Sequence, residues 1–218
     1  LVGGTTDLGN VLIVSALDVT ADAAVSADTL TQSAGTGDTQ FDGAVTLDGA
    51  GGLDLTTNTV TLNSTIDTAT AANGGTVTIT NAGLLDIAPG ADLNLDGAFL
   101  QDGAGSVQTA GDITTTGDNI TFQQAVTLTD THPVVWSTGA GTGGTIALNS
   151  TLDGTTDFAE DLTLTAGSGN VDFDGLVGGT TDLGNVLIVS ALDVTADFAV
   201  SADTLTQSAG TGDTQFDG

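Results

Sequence analysis

The chain of 218 residues contains no lysine, no arginine, no cysteine, no methionine and no tyrosine, and only two prolines and one histidine. Each absence excludes something. Without lysine or arginine nothing can neutralise a phosphate backbone, so an electrostatic nucleic-acid binder is ruled out. Docking onto an anionic membrane surface is disfavoured on the same ground. Without cysteine there is no disulfide, no thiol nucleophile and no thiolate metal site. No apolar run reaches the length of a membrane span, and no basic segment precedes an apolar one at the start. We therefore expect no membrane insertion by this segment. Side-chain salt bridges are limited to any that His132 forms when protonated.

Acid is what the chain has in quantity: 28 Asp and Glu, a formal net charge of −28, and Glu160 the single glutamate. So acidic a composition with 4% aromatics often denotes disorder, yet 39% of the residues are hydrophobic, enough to build a core. The apolar residues are mainly Val, Leu, Ile and Ala. The polar ones are mainly Thr, Asp, Gly and Asn. This is strand-and-turn chemistry, and strong helix formers are nearly missing.

The segment LVGGTTDLGNVLIVSALDVTADAAVSADTLTQSAGTGDTQFDG, residues 1–43, recurs as residues 176–218 with one difference, Ala23 against Phe198. The offset of 175 residues reads as one full tandem unit, 1–175, followed by the start of the next, 176–218, in one continuous solenoid. Read circularly from Asp161, the unit divides into seven segments of 22, 21, 23, 23, 29, 27 and 30 residues. Each carries short apolar-polar alternations bounded by Gly, Asp and Asn. The sharpest signal is the join between second and third stretches, as in DG-LV, DG-AV, NS-TI and QQ-AV.

This spacing predicts an all-β fold, a right-handed parallel β-helix with about seven three-stranded coils per unit. Phe173, Phe41, Leu62, Leu95, Phe122 and Leu148 are expected to stack as one internal ladder. Leu164, Ile13, Leu55, Ile79 and Trp136 are expected to form another. Seven coils about 4.8 Å apart would rise about 34 Å. An antiparallel sandwich would instead show a period near 100 residues.

The Thr- and Val-rich strands punctuated by GNVDFDG (169–175), GLDLTTNTVTLN (52–63) and GGTVTITNAGLL (74–85) resemble the filamentous-haemagglutinin-like adhesins and related bacterial β-strand-repeat surface proteins. The resemblance spans the whole chain. It implies secretion to the extracellular space or cell surface, a β-helical shaft, and a role in adhesion or matrix building. An Arg-Gly-Asp motif cannot occur, because the chain has no arginine.

Candidate chemistry is sparse. His132 in DTHPVVW lacks a second histidine and a nucleophile at catalytic spacing, and His-Pro simply favours an extended strand start. Trp136 reads as core filler. The pairs Asp172/Asp174, Asp92/Asp96 and Asp153/Asp157 invite comparison with polysaccharide-cleaving carboxylates, but no basic residue is present to hold an anionic sugar. An enzyme is not expected. GAGTGG (139–144) lacks the strand-to-helix context of a phosphate loop. GAGGLD (49–54) is one imperfect copy of a calcium-repeat nonapeptide. The Thr-x-Thr stretches are too irregular for a flat ice-binding face.

One column keeps a chemical interest. At the turn after the second stretch the unit reads Asp174, Asp22, Asp42, Asn63, Asp96, Gln123, Asn149. Carboxylates stacked about 5 Å apart repel unless amides interleave or a hard cation bridges them. Asp22, Asp42 and Asp174 are therefore the candidate metal ligands, with calcium as the ion. No other cofactor is implied. The expected function is a structural segment of a secreted fibre or adhesin stalk, its partner another unit of itself. The alternative is an adhesive module that recognises host or matrix glycans on the outer face.

Overall fold

The computed structural model describes residues 1–69 and 74–218. They form twenty-five strands of two to eight residues and, among the described residues, no helix. Every strand pairing is parallel, and paired strands lie about twenty residues apart along the chain, as in Leu30↔Leu53 and Leu53↔Val77. The chain therefore winds as a right-handed parallel β-helix of about nine turns. The all-β solenoid expected from the repeat spacing is the fold.

Short alternation explains why these residues form these strands. Val45–Leu47, Leu93–Leu95, Ile113–Thr115 and Ile120–Phe122 each bury their outer two residues and turn the middle one outward. A three-residue strand has room for two inward side chains, and β-branched or aromatic residues fill those places. Glycine closes the tight corners. Gly178 has φ +66, and a Cβ there would collide with the Ser201 carbonyl oxygen. Its duplicate Gly3, at φ +91, stands in the same relation to Ser26.

The prism has three faces. Face I stacks Ile13, Gln32, Leu55, Ile79, Gln101, Phe122, Leu148, Phe173, Ala196 and Phe216. Face II stacks Ala21, Phe41, Leu62, Ile87, Thr109 and Leu128, and the Val19 register of the same face continues through Leu152 to Val177 and Val200. Face III stacks Val2, Val25, Val45, Ile66, Leu93, Ile113, Trp136, Leu164, Ile188 and Gln207. The strand Val25–Gln32 serves two faces, pairing with Val45–Leu47 through its first half and Leu53–Thr57 through its second.

The inward residues expected from sequence point inward, but the ladders they form differ. The expected ladder of Phe173 divides three ways: Phe41 and Leu62 on face II, Leu95 on face III, and Phe122, Leu148 and Phe173 on face I. That of Leu164 divides into Ile13, Leu55 and Ile79 on face I and Trp136 and Leu164 on face III. The cause is coil length. Successive face I positions are 19 to 26 residues apart, so the sequence segments of 27 to 30 residues hold more than one coil each. Between Ile13 and its duplicate Ile188 the chain makes seven full turns, to Phe173, and then crosses two further faces.

Inside, aromatic contact links faces. The Phe122 ring lies 5.1 Å from Phe99 and 4.9 Å from Trp136, both tilted. Buried amides occupy the Gln32 and Gln101 places on face I. Gln101 is fully engaged: its Nε2 donates to Asn81 Oδ1 (2.8 Å) and Gly105 O (3.2 Å), and its Oε1 accepts from the Gln123 and Gln124 amides. Gln32 Oε1 accepts from Thr39 Oγ1 at 2.8 Å, while its Nε2 and the Trp136 Nε1 are buried without a partner.

Candidate functional site: acidic edges and open ends

Besides Asp54, Asp86 and Asp172 in mid-strand, acidic residues line the edges of the prism, where each coil turns. Their side chains accept hydrogen bonds from backbone amides one coil further on. Asp18 accepts from the Asp38 amide (2.9 Å), Asp112 from Val135 (2.8 Å), Asp153 from Thr180 (2.7 Å) and Asp193 from Asp213 (2.8 Å). Asn119 does the same for Thr145 at 2.8 Å. A corner amide cannot reach a strand partner, and a carboxylate is a strong acceptor for it. Aspartate thus serves as an inter-coil cap that needs no lysine or arginine.

The three candidate metal ligands are not brought together. Asp22 and Asp42 follow the paired residues Ala21 and Phe41, so they sit in adjacent coils at the end of face II. Asp174 follows Phe173 at the end of face I. The stack expected of them exists through the duplicate segment, because Asp197 and Asp217 are the second copies of Asp22 and Asp42. Asp174, Asp197 and Asp217 follow Phe173, Ala196 and Phe216, which pair in successive coils. Among the described residues no group of three or more acidic or histidine side chains is placed to hold a metal ion.

Amides perform part of the relief that was assigned to calcium. Asp42 Oδ1 accepts from Asn63 Nδ2 and Gln40 Nε2, each at 2.7 Å, and these bonds hold its carboxyl below the ordinary value, the Asn63 bond most strongly. In the neighbouring column Asn149 donates to Gln123 Oε1 at 2.8 Å. Where amides are missing the carboxyls go the other way. Burial, with the charges of Asp174, Asp193 and Asp197 beside it, pushes Asp172 up. Burial also raises Asp112, with Asp92 adding to it, and raises Asp86.

His132 is exposed, and its ring Nδ1 lies 3.3 Å from Asp130 Oδ1. Its backbone amide donates to the same oxygen, the chief reason that the Asp130 carboxyl is lowered. The pair forms a turn ahead of the strand Val134–Ser137. Trp136 is buried in the core. Ala23 and Phe198 both lie at exposed turns. Glu160 is buried, and its carboxylate accepts from the Thr155 hydroxyl (2.5 Å) and the Thr156 amide (3.2 Å).

A solenoid of this kind exposes strand edges and core at its two ends, and the duplicated segment shows what lies there. Copy one is covered from above by residues 44–66, and copy two from below by residues 152–173. Phe41 pairs with Leu62 and is 1% exposed, whereas its duplicate Phe216 is 47% exposed. Leu183 is 0% exposed beneath its neighbours, whereas its duplicate Leu8 is 44% exposed. These bare positions are core positions in the other copy, whereas Leu1 and Leu176, Val14 and Val189, and Leu17 and Leu192 are exposed in both.

Two cavities at the N-terminal end fit the same pattern. One of about 350 Å³ is lined by Ser15, Ala16, Leu17, Ala34, Gly35 and Thr36. In the second copy the matching place holds the 166–169 turn, with Gly167 donating to Ser190 Oγ (3.2 Å) and Leu192 donating to Gly169 O (2.7 Å). The other, about 150 Å³ and almost wholly apolar, is walled by Val2, Val11, Ile13, Val19 and neighbours. In the second copy Val186, Ile188 and Val194 are closed off by Leu162, Leu164 and Val171.

Comparison with known proteins adds no relative: no family model, no curated protein and no solved structure matches this chain.

Proposed function

We propose that this chain is a non-catalytic structural segment of a secreted or cell-surface fibre, lengthened by stacking further units of the same solenoid on its ends. The observation that carries this reading is the complementary exposure of the two copies. Val2, Leu8, Leu205 and Phe216, bare at the ends, have twins in Val177, Leu183, Leu30 and Phe41 that another stretch of solenoid buries. Stacked parallel strands hydrogen-bond along the axis, so such a shaft resists extension through its backbone ladders. The likeness of the strands to filamentous-haemagglutinin-like proteins supports a bacterial adhesin stalk. Uncovered strand edges and core at an end are the surfaces a solenoid must cap or continue.

Sedimentation velocity at rising protein concentration tests this. The chain forms a ladder of species, and Phe216→Asp at the C-terminal end or Val11→Asp at the N-terminal end each limits growth. Mixing the two variants restores dimers, because each keeps one intact end. Strict monomers at every concentration, together with selective binding on a glycan array, would instead favour an adhesive module acting through the outer face.

A further inference from the structure

We infer that two copies of this chain pair side by side, their shafts parallel, through the uncharged part of face III, each seating Phe158 against Val189 and Leu192 of the other. This contact lies on the flank of the prism and needs no end-to-end growth.

The outer surface sorts the three faces by charge. Face I carries Asp54 and Asp172 at outward places within its strands, and face II carries Asp86 and Asp153. Face III carries Asp67, paired with Asn94. Beyond Asn94 its outward places are uncharged. One column runs Val135, Thr163, Leu187 and Thr206. The other runs Thr114, Ser137, Thr165 and Ser190. Acids return at the edges, such as Asp161 and Asp182 where the strands start and Asp193 past their ends.

Apolar side chains stand out of this neutral surface. Val189 is the extra residue of a β-bulge, since the register passes from Leu164↔Ile188 to Thr165↔Ser190. A bulge re-aims the side chain it carries, and Val189 is exposed. Leu192, at the corner that follows the same strand, is exposed as well. It has a coil on either side, donating to Gly169 O (2.7 Å) and accepting from the Gly212 amide (2.9 Å). Its exposure is therefore no consequence of an open end.

Phe158 stands at the opposite edge. It is 55% exposed and, at φ +63, is the one non-glycine residue among those described with a positive φ. That conformation is unfavourable for a bulky side chain. The loop holds it there. Buried Glu160 accepts from Thr155 and Thr156, and Ala159 donates to Thr156 O (3.0 Å). Asp157 accepts from the Asp182 amide (3.3 Å), while Phe158 donates to Asp182 O (2.9 Å). Strain of this kind marks contact sites, and aromatic rings anchor them.

Symmetry selects a second copy as the partner. A two-fold axis parallel to the solenoid sets face III against face III. It also sets the edge where the strands of one chain start against the edge where those of the other end. Phe158 belongs to the first edge and Leu192 to the second. They are level, because Phe158 bonds to Asp182, one residue before the strand Leu183–Ser190 that leads to Leu192. Each ring meets Leu192 and Val189 of the other chain, twice per pair. Charge favours the same partner. Two chains of net charge −28 repel least where their facing surfaces hold no carboxylate. A cationic partner would be drawn to the acidic edges instead. The neutral face is about four coils tall, roughly 19 Å, small for a permanent dimer. Pairing is therefore weak and strengthens with salt, which screens the edge carboxylates.

Cross-linking tests this, because the chain has no cysteine. Thr163→Cys lies on the neutral face, Thr121→Cys on face I and Thr127→Cys on face II, all at outward places. Each full chain is treated with a short bismaleimide at low and high salt, and dimers are scored on a denaturing gel. Thr163→Cys is expected to give dimers whose yield rises with concentration and salt, and the two controls few. Adding Phe158→Asn, a residue that tolerates a left-handed backbone, is expected to keep or raise the melting temperature and to lower the yield by about tenfold. Leu192→Asn in the Thr163→Cys chain lowers it likewise. Mixing these two chains restores part of the yield, since one ring again meets one leucine. Phe216→Asp leaves the yield unchanged, which separates this contact from end-to-end growth. Equal yields from all three faces, no dimers at any salt, or indifference to Phe158→Asn would overturn the side-by-side pairing and leave the fibre reading standing. Phe158-dependent binding to a neutral glycan array by chains that do not cross-link would also overturn it and assign the face to a sugar.

Discussion

At the scale of single residues the molecule solves an electrostatic problem without counter-charge. Aspartate at a coil corner caps the backbone amide of the following coil, and asparagine or glutamine separates some carboxylates from their neighbours. At Asp172, Asp112 and Asp86 burial raises the carboxyl above the ordinary value of 3.8, and at the first two neighbouring carboxylates add to it. A raised carboxyl binds its proton more readily folded than unfolded, so acidification favours the fold between the raised value and 3.8. Asp42 and Asp130 are lowered, and what they contribute is lost only as pH falls through their values below 3.8. The melting temperature is therefore expected to rise as pH falls from neutrality towards about 4, and to turn over below that. Calorimetry across that range checks it. A melting temperature that falls steadily from pH 7 downward would contradict this account of the carboxylates.

At the scale of the strand, the duplicated segment allows one substitution to be made twice in one chain. Leu30 is buried beneath Leu53, whereas Leu205, its twin, is at the open end. Leu30→Ala is expected to cost about 2–5 kcal/mol and Leu205→Ala well under half of that, measured by urea unfolding at concentrations too low for association. Equal costs would mean that residues 44–66 do not cover the first copy. The same comparison shows what could be read from sequence. Alternation in strands such as Leu53–Thr57 and Ile120–Phe122 places their side chains in or out, because a period of two leaves little choice. The ladders are less legible. Register depends on how many residues each corner absorbs, and corners such as 138–145 or 154–161 carry Gly, Thr and Asp with no periodic signal. The three longest sequence segments concealed extra faces, which is why Ile188 stands on a different face from its twin Ile13. Asp22 and Asp42 were separated from Asp174 for that reason alone, while their twins Asp197 and Asp217 joined it. The inter-coil bonds from Asp18, Asp112 and Asp153 were legible only as a preference of aspartate for turns, since their donors lie a whole coil away.

At the scale of the whole molecule, a core that runs the length of the prism is closed along its sides and open at its ends. At physiological ionic strength charges are screened over about 8 Å, more than one coil spacing, so neighbouring edge carboxylates still repel while distant ones do not. Salt is therefore expected to favour end-to-end growth, the apolar ends supplying the attraction. The most direct measurement of the central claim is negative-stain electron microscopy of the concentrated chain at physiological and higher salt. The account predicts unbranched filaments that lengthen with concentration and salt, and that are lost in the Phe216→Asp variant. Discrete particles about 43 Å long at every concentration and salt, unchanged by that substitution, would contradict it.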